Sequence, residues 1–140
     1  NPFLQDDRAG LVVAEKLAQY DLPCSIEELH TVGFEVMDKV KGFKKAIVVD
    51  ACKLGRTPGT VLEVGVDDIF TNHHLVNSHA VTLGTTLKTG IICFPEEMPE
   101  EIRIFLIEVK EISEFTKEMS AEVEAAVEEV VHRIGAMVSP

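Results

Sequence analysis

The sequence lacks the features that mark several common classes of protein. No apolar run approaches the ~20 residues needed to cross a bilayer, which argues against a membrane-spanning helix. The cysteines are odd in number (Cys24, Cys52 and Cys93) and form no CxxC pair, so we expect a reducing, cytoplasmic setting without a disulfide framework. There is no glycine-rich phosphate loop and no GxSxG elbow. Nucleotide-binding, serine-hydrolase and thiol-redox functions therefore lack their motifs.

Positive charge is also scarce. The 13 lysines and arginines face 24 aspartates and glutamates, a formal net charge of −11. Nucleic acids and anionic membranes both need a basic surface, so we expect neither as a partner. A basic or metal-bearing partner would suit this charge, although most of these carboxylates are expected simply to be solvated.

The length and apolar content predict one globular domain over residues 1–140, since 140 residues at 46% hydrophobic content can bury a sizeable core. The opening Asn1-Pro2-Phe3-Leu4 has neither an initiator Met nor the features of a signal peptide. Because the chain has no initiator Met and opens in mid-motif, we expect that an N-terminal strand precedes Asn1.

Hydrophobic spacing predicts alternating helices and strands. Helices are expected over 10–18, 34–40, 79–88 and from 120 onward. Gly90 is expected to close the third helix and Ser120 to cap the last, whose apolar stripe would be formed by Val123, Val127, Val130 and Ile134. Strands are expected over 26–31, 45–50, 60–64 and 103–109, while 91–94 fits either a strand or a buried run. The link over 51–59 is too short for a helical crossover, so the strand at 60–64 should turn back beside its predecessor. This pattern predicts a three-layer α/β domain with a mixed sheet.

The apolar run Ala46–Val49 predicts a central strand buried on both faces, and it ends at Asp50. Asp6 and Asp7 precede the first helix, and Ser78-His79 open the third, so these groups could converge at one sheet edge, where ligands commonly bind. Two carboxylates and an imidazole suit a divalent metal such as zinc or nickel. Two close carboxylates could instead share a proton and act as acid and base.

Each of these features also has a purely structural explanation. Asp50 could cap the loop that follows its strand, and a histidine beside an N-cap serine is more often ordinary loop chemistry. Asp6-Asp7 are more often a helix-terminus device than ligands. Three further histidines, His73, His74 and His132, are expected on the surface. Cys52 is expected to be a small buried hydrophobe.

Several ordered motifs resemble one family, the hydrogenase maturation endopeptidases. Asn1–Gly10 (NPFLQDDRAG) resembles the family's GNPxxxDDGxG opening, and Val48–Ala51 with Pro58–Val61 resembles its VVDA…PGTV segment. Ser78–Leu83 is similar to its SxHxxxL helix start, and 107–123 is similar to its closing stretch. The resemblance covers essentially the whole chain in the right order.

This resemblance implies a metal-dependent or aspartic-type processing endopeptidase. Its partner would be the large-subunit precursor of a nickel–iron hydrogenase, from which it removes a C-terminal extension after nickel insertion. The nickel ligands would be Asp7, Asp50 and His79, with Asp7 and Asp50 as catalytic carboxylates. The substrate would carry the nickel as a recognition element, and zinc or another divalent ion could substitute.

The resemblance also implies a mixed, mostly parallel sheet of about five strands, flanked by helices on both faces. We expect a monomer. One departure lies at Arg8, where the family usually has glycine, which adds a cation beside the carboxylates.

Two other functions use the same residues. A phosphoryl-accepting receiver domain would use Asp50 as acceptor, together with Asp6-Asp7, Ser78 and Lys110. The back-turning strand and His79 have no place in that alternative. A non-catalytic metal-binding chaperone would use the same three ligands without cutting its partner.

Overall fold

The computed structural model describes residues 9–29, 33–76, 80–109 and 119–138. The elements in chain order are α1 (Ala9–Ala18), α2 (Phe34–Val40), β1 (Lys45–Cys52), β2 (Val61–Val64), α3 (Val66–Thr71), α4 (His73–Val76), α5 (Ala80–Cys93), β3 (Glu101–Glu108) and α6 (Ala121–Val138). Two compact units interleave along the chain: unit 1 is Asn1–Glu28, Val49–Leu62 and Phe105–Pro140, and unit 2 is Leu29–Val48 and Glu63–Ile104. That residues 1–140 form one domain stays a prediction. Among the described helices, none is long and apolar enough to cross a membrane.

The described strands form a sheet in the order β1-β3-β2. The β1–β3 pair is parallel, because the residue numbers of hydrogen-bonded partners increase together along both strands. Lys44 O accepts from Glu100 N at 2.9 Å near the start, and Cys52 O accepts from Val109 N at 2.9 Å near the end. The order of the described strands makes β3 the central one among them.

The β2–β3 pair is antiparallel. Glu108 N donates to Thr60 O at 2.8 Å, whereas Glu63 lies opposite Arg103, with Oε2 and Nε 3.3 Å apart. With one parallel and one antiparallel pairing, the sheet is mixed, as the short link over 51–59 predicts. However, β2 does not pair with β1, since β3 lies between them.

Two predictions about the sheet need correction. The described residues form three strands rather than about five, and they are not mostly parallel; residues 26–29 are outside any strand. Within the described sheet, the run Ala46–Val49 is also neither central nor buried on both faces. It is half-buried at the edge of the described sheet, whereas Ile104–Glu108 of β3 are all buried. Neighbouring side chains of a strand point to opposite faces of the sheet. Since these consecutive residues are all buried, both faces of the sheet are covered at β3.

In unit 1, α1 and α6 pack against each other. The predicted apolar stripe of α6 is confirmed by its buried residues, which include Val123, Val127, Val130 and Ile134. The predicted cap is confirmed too, because Ser120 Oγ accepts a hydrogen bond from Val123 N at 3.3 Å.

In unit 2, α5 packs against α2, α3 and α4. This helix continues to Cys93 instead of ending near Lys88, so the undecided stretch 91–94 is mainly helical. Gly90 lies inside the helix, where two methionine side chains pack closely against it. A Cβ atom there would lie 2.8 Å from Met98 Cε and 3.1 Å from Met37 Cγ. The glycine therefore serves close packing rather than helix termination.

Candidate functional site

Asp50 lies near the carboxyl end of β1, in unit 1. The strand continues two residues beyond it, to Cys52, so the side chains of Asp50 and Cys52 lie on the same side of the strand. Asp50 Oδ1 accepts a hydrogen bond from Ala51 N at 3.0 Å, and Oδ2 is shielded from solvent. The carboxylate is therefore held partly out of water, where its interaction with a cation is strengthened.

The first described turn of α1 packs directly against this part of β1. A Cβ atom on Gly10 would lie 2.7 Å from Val49 O and 3.7 Å from the Cα atom of Asp50. Only glycine allows helix and strand backbones to approach so closely. The stretch that follows Asp6-Asp7 is thereby placed beside Asp50.

A second carboxylate, Glu108, lies at the end of β3 and was not identified as a candidate from the sequence. It is buried, with 3% of its surface exposed. Its Oε1 and Oε2 atoms both face Leu54 N, at 3.0 and 2.9 Å. The available indication was a single acid in the otherwise apolar run Ile104–Val109.

Cys52 lies near both carboxylates, with its Sγ atom 4.0 Å from Glu108 Oε1. It is 7% exposed, which confirms the predicted burial. Burial, together with the nearby charges of Glu108 and Asp50, raises the pKa of its thiol to about 12, while Arg56 acts in the opposite direction. At neutral pH the group is a thiol. Since the thiolate is the nucleophilic form, the Cys52 thiol is a weak nucleophile at this pH.

The remaining predicted site residues lie outside the described part of the chain: Asp6, Asp7, Ser78, His79 and Lys110. Over 9–29, 33–76, 80–109 and 119–138, no three His, Cys, Asp or Glu side chains are grouped to hold a metal ion. The ligand set Asp7, Asp50 and His79 therefore stays a prediction. The predicted exposure of His73 and His132 is confirmed.

The fold and the site together define an α/β protein with a mixed sheet flanked by helices and carboxylates at the strand ends. The family model described as "HycI: Hydrogenase maturation protease" matches residues 11–136. The chain belongs to the hydrogenase maturation protease family, whose chemistry is peptide-bond hydrolysis. This membership argues against the receiver-domain alternative.

Solved structures show the same fold. The maturation protease HybD from Thermococcus kodakarensis is 24% identical, with a TM-score of 0.78 and coverage of 99% of this chain and 94% of that one. HybD from E. coli is 24% identical, with a TM-score of 0.74 and coverage of 98% and 86%. HycI from T. kodakarensis is 20% identical, with a TM-score of 0.72 and coverage of 99% and 86%. Among curated protein sequences, none matches significantly.

Proposed function

We propose that this chain removes a C-terminal extension from the large-subunit precursor of a nickel–iron hydrogenase after nickel insertion. The nickel arrives as part of the substrate and marks it as ready for cleavage. Asp50 binds this nickel together with Asp7 and His79, and this coordination places the scissile bond beside the metal. Family membership supports the activity, and the packing around Asp50 supports its place in the site.

The observation that carries the site assignment is the close contact of Gly10 with the backbone of Val49 and Asp50. Asp7 precedes Gly10 by three residues, and three residues of chain span ~10 Å at most. This supports a common site for Asp7 and Asp50. His79 directly precedes α5, whose first residue is Ala80.

In the proposed reaction, water adds to the carbonyl carbon of the scissile peptide bond. The C–N bond then breaks, and the amine of the released extension takes up a proton. Two forms of assistance fit the residues: the substrate's metal polarises the carbonyl, or a carboxylate, Asp7 or Asp50, takes the proton from the attacking water. We assign no role as nucleophile to the Cys52 thiol, which is buried and protonated at neutral pH.

The test is cleavage of a nickel-loaded large-subunit precursor, followed by mass spectrometry. We expect wild type to release the extension and the nickel-free precursor to remain intact. Asp50→Asn should lower kcat/KM by at least ~100-fold, since it removes a charged ligand and a possible base. His79→Ala should also have a lower kcat/KM than wild type.

The matched control is Asp67→Asn. Asp67 is an exposed carboxylate of α3 that pairs with Lys88 at 2.9 Å, so this variant should cut normally. If wild type binds the loaded precursor but leaves it intact, the chaperone alternative is correct and the proposed activity is wrong. If Asp50→Asn cuts as fast as Asp67→Asn, the site assignment is wrong.

A further inference from the structure

Glu108 contacts the segment 53–59, which follows Asp50 closely in the chain, at both of its ends. At the start of the segment, both carboxylate oxygens face Leu54 N. At its end, Gly59 N donates to the backbone oxygen of Glu108 at 2.8 Å, and Glu108 N donates to Thr60 O at 2.8 Å. One residue of β3 thus holds both ends of the loop.

Burying the Glu108 carboxylate costs free energy, and this cost is offset only if its oxygens are needed as hydrogen-bond acceptors. A buried carboxylate loses its hydration. An apolar side chain at position 108, like those of Phe105, Leu106 and Ile107 before it, would avoid that loss. The neighbouring bond from Val109 N to Cys52 O, at 2.9 Å, fixes the last residue of β1. Without the carboxylate, the partly buried Leu54 amide would lose the acceptor that the structure gives it, and the turn leaving β1 would loosen.

We propose that Glu108 is a positioning residue for Asp50: by accepting the Leu54 amide hydrogen, its carboxylate keeps the 53–59 loop closed and so fixes the strand end that carries Asp50. The functional half of this inference rests on the proposed role of Asp50 in cleavage. Glu108 contributes an acceptor here, so a neutral amide oxygen at the same place should serve almost as well as the carboxylate.

The test compares Glu108→Met with Glu108→Gln, two substitutions of similar size. Glutamine keeps an oxygen for the Leu54 amide, whereas methionine has only a weakly accepting thioether. The control is Glu124→Met, the same change at an exposed position of α6. All variants carry Cys24→Ser and Cys93→Ser, so that Cys52 is the one remaining thiol.

Two measurements report the loop without using activity. The first is the alkylation rate of Cys52 by iodoacetamide at fixed pH, in zero to low urea. We expect Glu108→Met to be alkylated at least tenfold faster than Glu108→Gln, which also lacks the charge that, in addition to burial, raises the pKa of Cys52. The rate should depend little on urea, because local opening exposes little surface. The second is the amide resonance of Asp50, which should shift or broaden in Glu108→Met and remain in place in Glu108→Gln and Glu124→Met.

The third measurement is cleavage of the nickel-loaded precursor. We expect kcat/KM to fall at least tenfold in Glu108→Met and to stay within about threefold of wild type in Glu108→Gln. Cys52 alkylation no faster in Glu108→Met than in Glu108→Gln, together with an unchanged Asp50 resonance, would overturn the inference. So would an alkylation rate that rises steeply with urea, since this marks global unfolding, or normal cleavage despite an open loop. If wild type itself fails to cut, the proposed function is wrong, while alkylation and the Asp50 resonance still decide whether Glu108 positions Asp50.

Discussion

Replacing Gly10 with alanine tests the contact that places α1 beside Asp50. Within a helix, alanine is more favourable than glycine by up to ~1 kcal/mol, so the change would be stabilising in open surroundings. At this position, however, the added Cβ atom would lie 2.7 Å from Val49 O and 3.3 Å from the carbonyl carbon of Val49. Backbone atoms of a paired strand cannot rotate away as the end of a flexible side chain can. The helix must therefore move away from the strand.

The size of the effect follows from two opposing terms. Overpacking of this kind costs about 1–3 kcal/mol, and the gain in helix propensity offsets up to ~1 kcal/mol of it. We therefore expect Gly10→Ala to lower the free energy of unfolding by roughly 1 kcal/mol. The control is Gly135→Ala in α6, where the added Cβ atom would meet nothing within 4 Å. That variant should be more stable than wild type by up to ~1 kcal/mol.

Urea unfolding followed by circular dichroism measures both variants, and cleavage of the loaded precursor measures the consequence for the site. We expect the order of stability Gly135→Ala, wild type, Gly10→Ala, with a total gap of roughly 2 kcal/mol, or several degrees in Tm. Gly10→Ala should also have the lower kcat/KM, because the displaced helix start is connected to Asp7. If Gly10→Ala is as stable and as active as Gly135→Ala, the close contact with Val49 does not exist.

Two further predictions concern the buried residues of unit 1. Burial raises the pKa of Cys52 from 9.0 to about 12, so between these values the folded chain holds a proton that the unfolded chain has lost. The free energy of unfolding should therefore fall as pH rises through this window, by up to ~1.4 kcal/mol per pH unit. Urea unfolding of wild type and Cys52→Ala from about pH 8 to about pH 10 measures this change. If the unfolding free energies of the two proteins change equally with pH, the prediction is wrong. Phe105→Ala should lower the free energy of unfolding by about 3–5 kcal/mol, since the ring is fully buried. Phe34→Ala, at a side chain that is 73% exposed, should change it by no more than about 0.5 kcal/mol. Similar thermal midpoints for these two variants would show that the burial of Phe105 contributes little.

Features that depend on neighbours along the chain could be predicted from the sequence. The stripe of α6 and its Ser120 cap follow from residues within a few turns of one another, and both are confirmed. The ordered motifs identified the family, which the match over 11–136 confirms. The short link over 51–59 correctly required a mixed sheet, because it cannot hold a crossover helix.

Features that depend on distant contacts could not be predicted in this way. Gly90 was interpreted as a helix end, but its role depends on Met37 and Met98, which approach it from elsewhere in the chain. Glu108 was not recognised as a candidate because nothing local distinguishes a strand-end acid in water from one that binds the amide of Leu54. Both misassignments have the same cause, since the deciding partner is far away in sequence.

The sequence by itself determined the class of fold, the family and the position of Asp50 on an apolar strand. The tertiary structure alone decided that β3, rather than the strand carrying Asp50, is the buried centre of the described sheet. The physical reason is that an apolar run records only the tendency of a segment to leave water. How deeply it is buried depends on which strands pair beside it and which helices cover them, and those partners come from remote parts of the chain.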